Sequence, residues 1–384
     1  MIKRLLVALI AILLIIIALS GCTEPVPVKK KSEETIKIGL ILPMQGDLEA
    51  YGVLSKRGID LLVDEVNSTG GVLGRDIEVI PGDDASNPNG VPHIATEYTR
   101  IRKVSAIVGP FTDQSALVAA PIANRDGVPL ITIRSSEPNI TTIGKYIFRA
   151  CYVDAYQGTI LGRFAGRDLK AKRAAIIYNS GDQSAKQLID NFRRAFASYD
   201  GEVALVQAYD SNATDFTEQL KEVAKVKPEV MLLTDFDDKS GVIMKKAADM
   251  GIKCTFLGTD FWNTTNLVKV AGPAAEGSYF TAHFSADDPN KKVREFIDLY
   301  KGDYVAEPEA SAALSYDAIS LIVEAIKRAN SVNPEKIRAA LAGIKKFEGV
   351  TGTYSFDDER NPVKGGIIMK VKNGRSVFEK RIEP

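Results

Sequence analysis

The chain has two histidines, His93 and His283, and three cysteines, Cys22, Cys151 and Cys254. Two histidines exclude a His-rich zinc site. Asp83-Asp84 and Asp237-Asp238 offer paired carboxylates to a hard cation, but neither has EF-hand spacing. Solvated loops at strand ends explain them better. Ser180, Ser184 and Ser240 have no obvious histidine to act as their base. Gly70-Gly71 and Gly74 come after a helical stretch instead of before one, so they read as a turn and not as a phosphate-binding loop. His93 falls on a solvated helix face. His283 falls near a crossover of the chain, where a structural role is expected. These residues point to no enzyme, no cofactor and no metal.

Of the 384 residues, 45% are apolar and 26% charged, a globular composition. That length exceeds what one core usually fills, so two domains are expected. Lys plus Arg (49) equals Asp plus Glu (49), which gives no reason to expect nucleic acid as a partner. Lys3 and Arg4 lead a run from Leu5 to Ala18 with no polar side chain, and Leu19-Ser20-Gly21-Cys22 follows at once. This resembles a lipoprotein signal peptide, 1–22, with cleavage before Cys22 and a lipid on its sulfur. The run is short for a bilayer span, which takes about 20 apolar residues. An uncleaved anchor helix is the alternative. Either way the bulk of the chain lies outside the cytoplasm, tethered to a membrane. Residues 23–35 carry Pro25, Pro27 and Lys29-Lys30-Lys31 without periodicity and read as a flexible tether. In that compartment Cys151 and Cys254 could pair, a question of geometry that sequence leaves open.

From Ile36 onward apolar strands alternate with amphipathic helices. Ile36–Leu42 is a strand; Leu54, Gly58, Leu61, Leu62 and Val66 then fall on one helical face. Strands follow around Ile77–Ile80, Ser105–Gly109 and Pro129–Thr132, with helices near His93–Lys103 and Asp113–Arg125. This βαβα order argues for a mostly parallel sheet covered by helices. The rhythm restarts after Tyr146, with strands at Ala174–Tyr178, Val203–Ala208, Val230–Thr234 and Thr255–Gly258. Helices at Lys291–Tyr304, Ala310–Arg328 and Pro334–Ile344 come next. Strands close the chain, the last two joined at Asn373-Gly374, a strong hairpin signal. The late helices suit the first unit and the terminal strands the second. The chain then crosses between units three times, near Cys151, His283 and Gly349. Residues 36–151 with 283–350 make lobe I, and 152–282 with 351–384 make lobe II. Three linkers between two lobes permit closure around a ligand.

The chain also resembles the extracytoplasmic solute-binding proteins of ABC transporters, in particular the branched-chain amino-acid (Leu/Ile/Val) type. The residues that carry the resemblance are Ile38-Gly-Leu-Ile-Leu-Pro43 with Tyr51-Gly52, the stretch Asn67–Asp76, Asp83-Asp84, Val108-Gly109-Pro110, Phe148-Arg149, Asp154–Gly158, Ser315-Tyr-Asp-Ala318 and Phe356-Asp357. None is specific alone; their order over Ile36 to Pro384 is. The resemblance implies a type I periplasmic-binding fold, two similar Rossmann-like lobes joined by three crossovers, with the solute between them. It implies ABC permease subunits as partners.

Site residues follow by the same resemblance. The loop after the third strand gives the family a hydroxyl for the ligand carboxylate. Here it reads Phe111-Thr112-Asp113-Gln114-Ser115, and Asp113 stands at the hydroxyl's place. A carboxylate facing a carboxylate at 4 Å costs about 4 kcal/mol at an effective dielectric near 20. Either Asp113 contacts a solute unlike an ordinary amino acid, or it caps its own helix and leaves Ser115 to the anion. After the fourth strand, Ser135 and Ser136 fit the family's hydroxyl role. Arg134 is a departure that pairs with Asp113, holds an acid group of the ligand, or points to solvent. Asp260 matches the acidic residue that takes the ligand ammonium. Tyr51 and Phe236 match aromatic walls of the cleft, and Gln183 stands where a tyrosine is common. Trp262 faces the cleft or fills the core. The solute expected is an amino acid, or else an amide, a urea-like solute or an organic acid. A sensing subunit for a membrane receptor is the other role this fold admits.

Overall fold

The computed structural model describes residues 34–383 apart from Thr265, and for Gln183 the backbone alone. The signal peptide expected over 1–22, its Cys22 and the tether up to 33 lie outside the described residues, as does the Gln183 side chain.

The first sheet has the order β2-β1-β3-β4-β5. Its strands are β1 (Ile36–Leu42), β2 (Ile77–Asp83), β3 (Ala106–Val108), β4 (Leu130–Thr132) and β5 (Ile147–Arg149). Every pairing is parallel. Such a sheet needs helices on both faces, which is why β1 is apolar and buried along nearly its whole length. On one face, helices Glu49–Ser68, Lys291–Tyr304, Ala310–Ala329 and Pro334–Ala342 share a core with Ile38, Leu40 and Val108. On the other, Tyr98 and Ala116, Ala119 and Ala120 of helix Asp113–Asp126 pack against Ile41 and Ile107. Gly58 is required where the two long helices meet: a Cβ there would lie 2.1 Å from the Ala312 carbonyl oxygen.

The second sheet has the order β15-β14-β10-β9-β8-β6-β7. Five strands are parallel: β6 (Arg173–Asn179), β7 (Glu202–Tyr209), β8 (Val230–Leu233), β9 (Thr255–Gly258) and β10 (Tyr279–Ala282). The hairpin β14 (Gly366–Lys372) and β15 (Arg375–Ile382) joins β10 antiparallel. Its turn has positive φ at both Asn373 (53°) and Gly374 (70°), as the Asn-Gly pair predicts.

The chain passes between the two sheets three times. After β5, Cys151 packs in the first core and Tyr152 in the second. After β10, Ala282 belongs to the core on the opposite face of the second sheet and Phe284 to the first core. The third passage follows a small antiparallel sheet of β11 (Phe347–Glu348), β12 (Thr353–Phe356) and β13 (Pro362–Val363). Tyr354 and Phe356 lie beyond the boundary expected at 350/351, yet both sit in the first core, with the Phe356 ring 5.3 Å from that of Phe148. The chain joins the second sheet at Gly366. Cys151 and Cys254 are free thiols: Cys151 is buried, with Sγ donating to the Ser135 carbonyl at 3.2 Å.

Candidate ligand-binding cleft

In parallel α/β sheets, groups that meet a ligand sit beyond the carboxyl ends of the strands. Tyr51 lies in the helix after β1, Phe111 follows β3, Arg134 follows β4, Phe236 follows β8, Asp260 follows β9 and His283 follows β10. Strand ends of the two sheets thus converge on one cleft of about 660 Å³, lined by all six residues together with Phe261, Phe284, Ser285 and Ser311. Two stacked ring pairs form its walls. Tyr51, 45% exposed, stacks on Phe111 with centroids 5.6 Å apart. Phe236, 55% exposed, stacks on Phe261 at 4.3 Å. Each pair comes from a different lobe and offers an open aromatic face.

A charge pair joins the lobes at this cleft. Arg134 Nη2 donates to Asp260 Oδ2 at 2.8 Å; the Arg134 side chain is 29% exposed and that of Asp260 only 5%. Gln157 Nε2 donates to Asp260 Oδ1 at 3.0 Å, and the Asp260 backbone N–H returns a bond to Gln157 Oε1 at 2.9 Å. Thr281 Oγ1 also donates to Gln157 Oε1. His283 Nε2 lies 3.4 Å from Asp260 Oδ2, and its ring stacks on Tyr152 at 4.1 Å. Burial pushes the Asp260 carboxyl up, but the Arg134 guanidinium and the bonds from His283 and Gln157 outweigh it and hold the group below the usual carboxylate range. Burial holds the His283 imidazole down at about 4, against the pull of Asp260.

Asp113 stands apart from that pair. Its helix is capped by Thr112, whose side chain accepts from Ser115 N–H at 3.2 Å. Asp113 therefore does not cap its own helix, and Arg134 does not pair with it. Its Oδ1 accepts from Ser135 Oγ at 2.6 Å and from Glu137 N–H at 3.1 Å, which ties the loop after β4 to the helix after β3. Arg149, fully buried, holds the same loop through the carbonyls of Ser135 (3.2 Å), Glu137 (2.8 Å) and Pro138 (3.3 Å). Ser136 Oγ donates to Asp154 Oδ2 at 2.8 Å. Asp113, Ser136 and Glu137 line a second cavity of about 470 Å³ with Asp154, Ser184 and Gln187 of the other lobe. Burial pushes the Asp154 carboxyl up to about 6, helped by the charge of Asp260 and resisted by the Ser136 bond.

Of the residues expected at the site, Tyr51, Arg134, Phe236 and Asp260 meet in one cleft. Asp113 and Ser136 meet in the second cavity. Ser135 is buried beneath them. Gln114 is exposed on the first turn of its helix, and Ser115 is buried with Oγ donating to Asp84 at 2.7 Å. Trp262 is core, its Nε1 donating to the Asp235 carbonyl at 3.2 Å. Gln157, His283, Phe111 and Phe261 were not expected. Gln157 lies inside the Asp154–Gly158 stretch, so its position was marked and its role was not. Phe261 adjoins Asp260 and could have been found by that neighbour.

Two α/β lobes, three linkers and a cleft walled from both sides define a two-lobed solute-binding protein. The chain belongs to the periplasmic binding protein family, whose model matches residues 35–375. It is similar to the leucine-, isoleucine-, valine-, threonine- and alanine-binding protein of Pseudomonas aeruginosa, at 26% identity over 85% of this chain and 87% of that one. Among solved structures it is similar to a branched-chain amino acid transporter substrate-binding protein from Streptococcus pneumoniae in complex with isoleucine. That match has 32% identity, covers 91% of this chain and 100% of the other, and has a TM-score of 0.72. A solute-binding protein of an ABC transporter from Rhodopseudomonas palustris, in complex with 3,4-dihydroxybenzoic acid, matches at 27% identity, 91% and 97% coverage and a TM-score of 0.70.

Proposed function

We propose that the protein is the solute-binding component of an ABC importer, lipid-anchored at Cys22 on the extracytoplasmic side, and that it captures an amino acid or similar small polar solute between two closing lobes. The Arg134–Asp260 pair carries this reading. It places one cation and one anion, from opposite lobes, between aromatic walls. A small zwitterion presents the complementary pair of charges. Its side chain would lie between the Tyr51 and Phe236 faces. A solute that touches both lobes binds the closed form better than the open one, and that difference moves the equilibrium toward closure. The closed form is what the permease subunits would receive. The lipid anchor is supported by the apolar run Leu5–Ala18 and the small residues before Cys22.

A second reading is favoured by one observation. Among the described residues Arg134 is the only lysine or arginine lining the cleft, and it is more exposed than its partner. An organic acid on an aromatic or branched body also fits that arrangement. A thermal-shift panel of L-amino acids, short amides, urea and small carboxylic acids tests both. A ligand at about 100 times its Kd adds roughly 2.7 kcal/mol of stability. Shifts with amino acids support the first reading, and shifts with carboxylic acids alone support the second. A flat panel removes both.

A further inference from the structure

The chain as a whole carries as many basic as acidic side chains, 49 of each. The surfaces that face one another across the lobes do not share that balance. Asp237, Asp260, Asp287 and Glu309 line the aromatic cleft, against Arg134 and His283. Burial keeps His283 neutral down to about pH 4. Arg134 is paired with Asp260, so those two add no net charge. Asp237, Asp287 and Glu309 remain. Asp237 accepts from neutral donors, Thr264 Oγ1 and Asn266 Nδ2, the latter at 3.2 Å. Asp287 and Glu309 are exposed and, among the described residues, stand in no ion pair.

The second cavity repeats the imbalance. Asp113, Glu137 and Asp154 line it, with no lysine or arginine among the described residues. Their bonds also come from neutral donors: Ser135 to Asp113, Asn139 to Glu137, Ser136 and Gln157 to Asp154. The charges of Asp260 and Asp113 add to burial in holding Asp154 up at about 6, as a negative field does.

Both lobes contribute to this field. Asp113, Glu137, Asp287 and Glu309 come from the first, Asp154 and Asp237 from the second. Closing the lobes brings like charges together where water is scarce and their repulsion grows. A solute with a surplus positive charge relieves that repulsion; a neutral or anionic one does not. The open rings of Tyr51 and Phe236 favour the same sign, since the face of an aromatic ring is negative.

We propose that the cleft takes a cationic amino acid: its zwitterionic end at the Arg134–Asp260 pair, and the ammonium or guanidinium of its side chain among Asp237, Asp287 and Glu309, beside an open ring. This rests on the amino-acid reading given above and names the class of side chain.

Isothermal titration of the full chain with L-arginine against L-citrulline, and with L-lysine against L-norleucine, tests it. The members of each pair have similar chains and differ in side-chain charge. The cation of each pair is expected to bind about tenfold more tightly or better, and the ratio should shrink as added salt screens the charges. Asp287→Asn combined with Glu309→Gln removes two of the three cleft carboxylates at exposed positions, and the ratio should fall to about threefold or less. Should the double variant not fold, Asp287→Asn alone should lower the ratio about twofold. Neutral members that bind as tightly as the cations overturn the proposal and leave the amino-acid reading standing. A ratio that the folded variants do not move overturns the placing of the charge among these carboxylates. If no probe binds the wild type, the proposal and the amino-acid reading fall together.

Discussion

Two buried groups beside Asp260 pull the acid stability of the protein in opposite directions. His283 titrates near 4 when folded against an ordinary 6.5. Between those values the unfolded chain binds the proton and the folded chain does not, so stability falls as pH drops through that window, by roughly 3 kcal/mol in all. Asp154 is pushed up to about 6 from 3.8. There the folded chain takes the proton first, and stability rises as pH falls from about 6 toward 4. The charges around them are Arg134 and Asp260, with Lys364 beyond the ring. His283→Gln removes the first contribution and leaves the second. Its melting temperature relative to wild type should therefore be higher at pH 4.5 than at pH 7, as read by calorimetry. A difference that stays constant with pH would show that His283 is not held neutral.

At the scale of elements, the helix Asp154–Arg163 is seated by its glycines. A Cβ on Gly158 would come 2.0 Å from the Leu188 carbonyl oxygen, and one on Gly162 2.6 Å from that of Phe192, both in helix Gln183–Ala197. The two helices can approach only while those positions lack a side chain. Gly158→Ala should destabilise by about 1–3 kcal/mol in urea unfolding through overpacking, although alanine is the better helix former. A stabilised variant would show that the helices can slide apart freely. The same helix shows what the sequence concealed. Long segments were legible: Lys291–Tyr304 because its buried face repeats several times within one helix, and Ala310–Ala329, buried on nearly every side, because its apolar run is too long for a strand. Asp154–Arg163, β5 and β10 were not: the helix mixes Asp154, Gln157, two glycines and Arg163 among its apolar residues without a clear period, and the two strands are only three and four residues long. The site divides in the same way. Asp260 and Arg134 follow strands that the periodicity reveals. Their pairing across 126 positions, and the bond of Gln157 to Asp260 across 103, depend on how two separately folded sheets face one another. No local pattern encodes that. Resemblance pointed to loops that line the cavities; of the two roles it left open for Asp113, capping is excluded by Thr112, and Asp113 instead braces the loop bearing Arg134.

At the scale of the whole molecule, one ammonium stitches two of the three passages. Lys364, fully buried on the last passage, donates to the carbonyl of Ala150 on the first at 3.3 Å. It also donates to Thr351 Oγ1 at 2.6 Å and Tyr354 OH at 2.9 Å, and lies 4.4 Å over the Tyr354 ring. Asp317 completes the cluster by accepting from Val350 and Thr351 N–H, each at 2.7 Å. Lys364→Met should cost about 1–3 kcal/mol in urea unfolding, since buried acceptors lose their donor. Burial holds the amine down at about 8 against an ordinary 10.5, with Asp317 opposing. From pH 8 upward the unfolded chain holds a proton that the folded chain releases, so wild type gains on the variant. The gap should be wider at pH 9.5 than at pH 7. A gap independent of pH would mean that the amine stays charged.

The three passages also decide which parts of this molecule can exist alone. The first core draws on residues from Ile36 to Cys151 and again from Phe284 to Phe356, and the second sheet is completed only by β14 and β15 at the end of the chain. Neither lobe is a continuous piece of sequence. A single break anywhere between Arg163 and Ala282 therefore releases no lobe: each fragment keeps strands or helices of both. Severed halves would have to peel whole sheets and cores apart to separate, so the fold resists dissection into parts even where its surface admits a protease.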